Sequence, residues 1–152
     1  MPKYNNLREI VDTQRPFHMI YSGVENKQYF DILYNLGIRH FLVSFHYAQG
    51  KGFDIEFYKQ RQVKLFIDSG AYTYLTNAEE YGQYTVEQWE SQITEYLSWA
   101  RANKEIIFAI ANLDLEYLVG KEKVVEWNKK YFEPFMLETG IPVCFIWHDI
   151  NN

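Results

Sequence analysis

Cysteine is nearly missing from this chain: Cys144 is the only one in 152 residues. An intramolecular disulfide and a cysteine-rich zinc site are therefore excluded. Four prolines and eight glycines are too few for a collagen-like or linker-like chain. Excess basic charge is also missing. The formal net charge is -5, which argues against binding nucleic acid by bulk electrostatics alone. No long hydrophobic run exists: the longest, around Ile106–Ala111, falls far short of a membrane span. The stretch Met1 to Asp12 is polar and lacks the apolar core of a signal peptide. These absences predict a cytoplasmic protein with no membrane association. No His/Cys/Asp/Glu group has metal-ligand spacing, so neither a metal nor a cofactor is expected.

What the chain does have is apolar and aromatic bulk. It is 47% hydrophobic and 18% aromatic, with 13 Tyr, 11 Phe and 4 Trp. That composition rules out disorder and fits one domain over residues 1–152. Charge is uneven along it. Residues 1–76 hold nine Lys and Arg against seven Asp and Glu; residues 77–152 hold six against thirteen. A polyanion would meet the first half, and the acidic pairs Glu79-Glu80 and Glu87-Glu90 read as solvated helix faces.

Short β-rich runs alternate with helical stretches. Five runs are expected as strands: Phe17–Gly23, His40–Tyr47, Val63–Ile67, Glu105–Asp114 and Ile141–His148. The second is nearly all apolar, as for a strand buried on both faces. Between them, Tyr29, Phe30, Leu33, Tyr34 and Leu36 make one helix face, stopped at Gly37. The strongest helix signal follows Thr85, which with Gln88 forms a capping box; Val86, Trp89, Ile93, Tyr96, Leu97 and Ala100 form its apolar stripe. A further helix spans about Lys121 to Leu137, with Val124, Val125, Trp127, Tyr131 and Phe135 facing the core. Cys144 falls mid-strand and reads as an inert buried thiol.

Repeated β-α alternation implies parallel strands with right-handed crossovers. Two closures are open. One is an open doubly wound sheet, which suits this length. The other is a β/α barrel of the TIM type, which needs about 250 residues and would be incomplete here, with about five strands.

Both closures put ligands at the carboxyl ends of the strands. The candidates there are Ser22 and Gly23, then Ser44, His46 and Tyr47, then Asp68-Ser69-Gly70-Ala71-Tyr72, then Asn112 and Asp114, and lastly Trp147, His148 and Asp149. The third group is the sharpest. It places a carboxylate, a hydroxyl, backbone N–H groups and an aromatic ring together. Two readings stand for Asp68: a cap on local N–H groups, or a ligand contact. His46 and His148 lie at productive ends, and a lone histidine there is as readily structural. Lys51, between Gly50 and Gly52, does not fit a phosphate-binding P-loop.

Leu65-Phe66-Ile67-Asp68-Ser69-Gly70-Ala71-Tyr72 resembles the Asp-Ser-Gly-Gly/Ala-aromatic signature of the tRNA-guanine transglycosylases. The Ala after the Gly is closer still to the phage and bacterial relatives that insert 7-deazaguanines into DNA. The resemblance covers about residues 17–148. It implies a partial TIM-type barrel, the first five-eighths of one, and a glycosyltransferase activity that exchanges guanine for a 7-deazaguanine. It implies that Asp68 belongs to the catalytic centre and contacts the base, with Ser69 and Gly70 beside it and Tyr72 stacked on it. Asp114 matches the position of a second base-reading Asp. The partners implied are a purine or 7-deazaguanine base, and tRNA or DNA.

Two features depart from the family. Its nucleophilic Asp comes from a later strand, and its structural zinc uses three Cys and a His. A second polypeptide or an oligomer supplying the remaining strands is therefore expected, with the edge after Phe145 as the seam. The rival expectation is a non-catalytic domain of a phage or mobile element that binds a nucleobase, a nucleotide or a protein.

Overall fold

Among the described residues four strands make one all-parallel sheet: β1 (His40–Ser44), β2 (Lys64–Asp68), β3 (Ile107–Ala111) and β4 (Val143–Cys144). The computed structural model describes residues 19–50 and 52–146 of the chain. The strands lie side by side in chain order, β1-β2-β3-β4. That order never reverses, so the described sheet has no switch point of the kind that defines a doubly wound fold.

The first expected run contributes one parallel bridge, between Tyr21 and Phe41, rather than a fifth strand. It is held by Leu42 N–H donating to Tyr21 O at 2.8 Å. Residues 17 and 18 of that run lie outside the described residues. The fifth expected run keeps only Val143 and Cys144 as strand, and its end, with His148, also lies outside them.

Helices fill the connections. They are α1 (Lys27–Asn35), α2 (Phe45–Ala48), α3 (Ile55–Gln60), α4 (Ala71–Thr76), α5 (Ala78–Tyr81), α6 (Val86–Ala102), α7 (Glu116–Val119), α8 (Lys121–Trp127) and α9 (Glu133–Thr139). Their starts follow the polar residues that precede them. Asn26 accepts from the N–H groups of Gln28 and Tyr29, and Asp54 from those of Glu56 and Phe57. The Thr85–Gln88 capping box forms with both bonds in place. One π-helical turn (Asn128–Phe132) joins α8 to α9. Pro134, which has no N–H to continue an α ladder, stands just beyond it.

Alternation along the strands decides which face is covered. Phe41, Val43, Leu65, Ile67, Ile107 and Ile110 are buried in one core with Phe30, Leu33, Ile93, Tyr96, Leu97, Trp127, Phe132 and Phe135 of the helices and the π turn. Each such side chain contributes about 1.5–3 kcal/mol relative to exposure. The residues that alternate with them, His40, Leu42 and Phe66, are only half-buried, as is Phe108 at a register slip between β2 and β3. Their rings meet across the strands: His40 stacks edge-on to Phe108 at 5.5 Å and Phe66 lies 6.2 Å from Phe108. Among the described residues the sheet is therefore fully covered on one face and only partly covered on the other.

This corrects several expectations. The second run is not buried on both faces; its backbone turns into α2 after Ser44, which carries His46 and Tyr47 off the strand. On α1, Phe30 and Leu33 are buried but Tyr29 and Leu36 are exposed, so the apolar stripe is narrower than the sequence spacing suggests. Val86 is exposed because it is the first residue of α6, before the helix reaches the sheet. Cys144 is exposed, since β4 is a two-residue edge strand.

Candidate functional site

The carboxyl ends of β1 and β2 meet in register, with Ser44 opposite Asp68. Asp68 is the last residue of β2, and its Oδ2 accepts the Gly70 N–H at 3.0 Å. The local cap considered for Asp68 is therefore real, but it uses one oxygen. Oδ1 accepts nothing from the described residues. Ser69 is buried.

Gly70 has φ +84°, the left-handed conformation that favours glycine, and it leads directly into α4. Its α-carbon is pressed against β1: an added Cβ would lie 2.8 Å from His46 Cβ and 3.3 Å from Ser44 Oγ. The close approach that this glycine allows is thus between the turn after β2 and the junction of β1 with α2, within the protein itself.

Tyr72, in the first turn of α4, is 78% exposed. His46 is half-buried, with its ring edge-on to Tyr74 at 5.5 Å, Tyr47 at 5.4 Å and Tyr81 at 6.5 Å. Tyr74 itself belongs to the core, and burial, reinforced by Tyr81, pushes its hydroxyl up to about 12.

The end of β3 is fixed beside the end of β2 by Tyr96. Its buried hydroxyl lies 2.9 Å from Ile67 O and 3.0 Å from Ala111 O. Burial raises that hydroxyl well above its ordinary range, and the negative charge of Asp68 raises it further. Asn112 then anchors β4. Its side chain donates to Asn128 Oδ1 at 3.1 Å and accepts Ile146 N–H at 2.8 Å. Asp114 and Glu116 follow, both 6% exposed, at the same end of the sheet.

The geometry thus gathers Ser44, His46, Asp68, Ser69 and Gly70 at adjoining strand ends, with Asp114 beyond the neighbouring strand. His148 lies outside the described residues, as does Lys51. Sequence reasoning missed Tyr96, which reads as an ordinary member of a helical apolar stripe. It also missed Glu116, whose burial nothing in a four-residue helix signals. Among the described residues no group of three His, Cys, Asp or Glu could hold a metal ion.

A cavity of about 690 Å³ opens beside the end of β1, walled by Glu25, Lys27, Tyr47, Phe53 and Phe57 among others. Of the sequence-predicted strand-end residues His46 and Tyr47 reach it, and Asp68, Ser69, Gly70, Tyr72 and Asp114 do not line it. Burial, then the charges of Glu25 and Asp54, raise the Tyr58 hydroxyl on its wall to about 12, and that hydroxyl donates to Val24 O at 2.8 Å.

Fold and site together define an α/β protein whose described strands form an all-parallel sheet with an acidic set of strand ends. Compared with family models, curated proteins and solved structures, the chain matches none. Among the described residues no helix is long and apolar enough to cross a membrane.

Proposed function

We propose that the carboxyl ends of β2 and β3 bind a guanine or 7-deazaguanine base, as part of a base-exchange activity of the tRNA- or DNA-guanine transglycosylase type. The observation that carries this reading is the seating of Asp68-Ser69-Gly70-Ala71-Tyr72. The carboxylate ends a parallel strand with one oxygen left over, and four residues on an aromatic ring stands exposed. A guanine edge presents N–H donors, for which carboxylates are the natural acceptors. A base held outside a duplex must be stacked as well as hydrogen-bonded. Asp68 and Asp114 take the first role and Tyr72 the second.

The sheet order supports a barrel-type winding, since a TIM-type barrel sets its strands side by side in chain order. On this reading the partly covered face is the interior of an unfinished barrel. Later strands, with the carboxylate that displaces guanine from the sugar, come from a second polypeptide that pairs at the β4 edge.

Calorimetry with guanine and with a 7-deazaguanine tests binding, with Asp68→Ala as control. Incubation with tRNA or DNA and labelled 7-deazaguanine, with and without a candidate complementing chain, tests exchange. Loss of base affinity in Asp68→Ala is expected. Affinity equal to that of the unaltered protein would remove Asp68 from the site, and absence of both binding and exchange would end the reading.

A further inference from the structure

Buried side-chain oxygens that accept or donate no hydrogen bond are rare in folded proteins, and each one calls for a reason. Here such atoms gather at one end of the sheet. Ser44 Oγ lies at the carboxyl end of β1, and both Oε1 and Oε2 of Glu116 lie just beyond β3. Glu116 is the stronger case. Its residue is 6% exposed, and no Lys, Arg or His of the described residues pairs with it. A carboxyl group withdrawn from water without a hydrogen-bond partner is costly, and a bound ligand is one of the reasons that can account for it.

Glu116 also stands where a ligand is expected. It opens the four-residue helix α7, two residues after Asp114 at the carboxyl end of a parallel strand. Asp68 ends the next strand. Three carboxylates at one end of the sheet disfavour phosphate and other anions. They favour a ligand that brings several N–H donors along one edge.

We propose that Glu116 is a specificity-determining residue whose two carboxylate oxygens accept adjacent N–H donors of the ligand, of the amidine type. The N1–H and exocyclic amine of guanine form one such edge, so in that form the inference rests on the base-binding reading above. Glu116 then selects bases with an exocyclic amine beside a ring N–H, and rejects those that lack it. An acceptor site left unfilled discriminates strongly, because its buried polar atoms stay unpaired.

The test measures binding of guanine, hypoxanthine and benzamidine to the unaltered protein, Glu116→Gln and Asp68→Ala. Hypoxanthine lacks the exocyclic amine; benzamidine carries the donor pair with no purine. Glu116→Gln should weaken guanine about 10- to 100-fold, the range for a hydrogen bond to a charged group. Hypoxanthine keeps the ring N–H and lacks only the amine, so its binding should weaken by less than that of guanine, and the preference for guanine over hypoxanthine should shrink. A merely structural carboxyl group would show no ligand selectivity, so Glu116→Gln would then leave the guanine to hypoxanthine preference unchanged. Guanine affinity unchanged in Glu116→Gln overturns the inference, and so does failure of both guanine and benzamidine to bind the unaltered protein. If Glu116→Gln weakens benzamidine while guanine does not bind, Glu116 stands and the base-binding reading falls. If Asp68→Ala leaves guanine binding intact while Glu116→Gln abolishes it, Glu116 again stands and Asp68 leaves the site.

Discussion

Gly70→Ala tests whether the strand ends at the candidate site are locked together as tightly as the geometry indicates. Two costs act at this position. The first is conformational: φ is +84°, and an L side chain in the left-handed region costs about 1–2 kcal/mol. The second is steric. The new Cβ would meet His46 Cβ at 2.8 Å, closer than real carbon contacts come, and backbone must shift to relieve it. Overpacking of that kind typically costs about 1–3 kcal/mol. The expected total is about 2–5 kcal/mol, a large share of the ordinary stability of a domain.

Gly37→Ala separates the two costs. Gly37 has φ +87°, and a Cβ there meets nothing within 4 Å, so its alanine carries the conformational cost alone. Urea unfolding of both variants should therefore give a gap of about 1–3 kcal/mol between them. His46→Gly removes the obstructing Cβ, so in a double-mutant cycle it should recover most of that gap and leave the conformational part. Equal destabilisation by Gly70→Ala and Gly37→Ala would refute the reasoning, as would zero coupling between positions 46 and 70.

Two further predictions concern the supports of the site. Glu90 accepts from Lys130 Nζ at 2.8 Å, Tyr131 Oη at 2.5 Å and Trp127 Nε1 at 3.2 Å. Lys130 first, then Tyr131, hold its carboxyl down at about 2. A depressed carboxylate stabilises the fold above its unfolded value, near 4.5, and that stabilisation is lost as pH falls towards 2. Glu90→Gln should thus lower stability by about 1–2 kcal/mol at pH 7, with solvent screening included, and by progressively less between pH 4.5 and pH 2. Thermal melts across that range check it, and a gap that does not narrow would contradict it. Tyr96→Phe removes the hydroxyl lying between Ile67 O and Ala111 O, and should cost about 1–3 kcal/mol in urea unfolding. A loss below about 0.5 kcal/mol would mean that water replaces the hydroxyl.

The Glu90 clamp also shows where local reading stops. From spacing, Glu87 and Glu90 look like one solvated acidic face. Glu87 is exposed, but Glu90 is not, because its three donors arrive from the π turn and α8, about forty residues on. The same limit governs the strands. Their order of appearance was readable from apolar runs and helix caps, and the Thr85–Gln88 box formed as the sequence predicts. The uneven coverage of the two faces was not readable, because the run from His40 to Phe45 is apolar at nearly every position. Only the register with β2 separates buried Phe41 and Val43 from half-buried His40 and Leu42. At the site, Asp68 to Tyr72 was legible as a local motif. The contact between Gly70 and His46 was not, since it joins residues of two strand ends through the sheet pairing.

A parallel sheet fully covered on one face only is itself an argument. Parallel sheets occur almost always with both faces covered. Here, among the described residues, one face carries the half-buried Leu42, Phe66 and Phe108, and the edge strand β4 spans only two residues. Among the described residues both features leave groups short of full packing or pairing: half-buried side chains on the face, backbone N–H and C=O groups along the edge. A second polypeptide that continues the sheet past β4 would cover both at once, because a parallel sheet that continues to curl closes over its own inner face. It would also bring further strand ends to Asp68, Asp114 and Glu116. On the base-exchange reading proposed above, strands that cover this face would also be the ones that carry the displacing carboxylate.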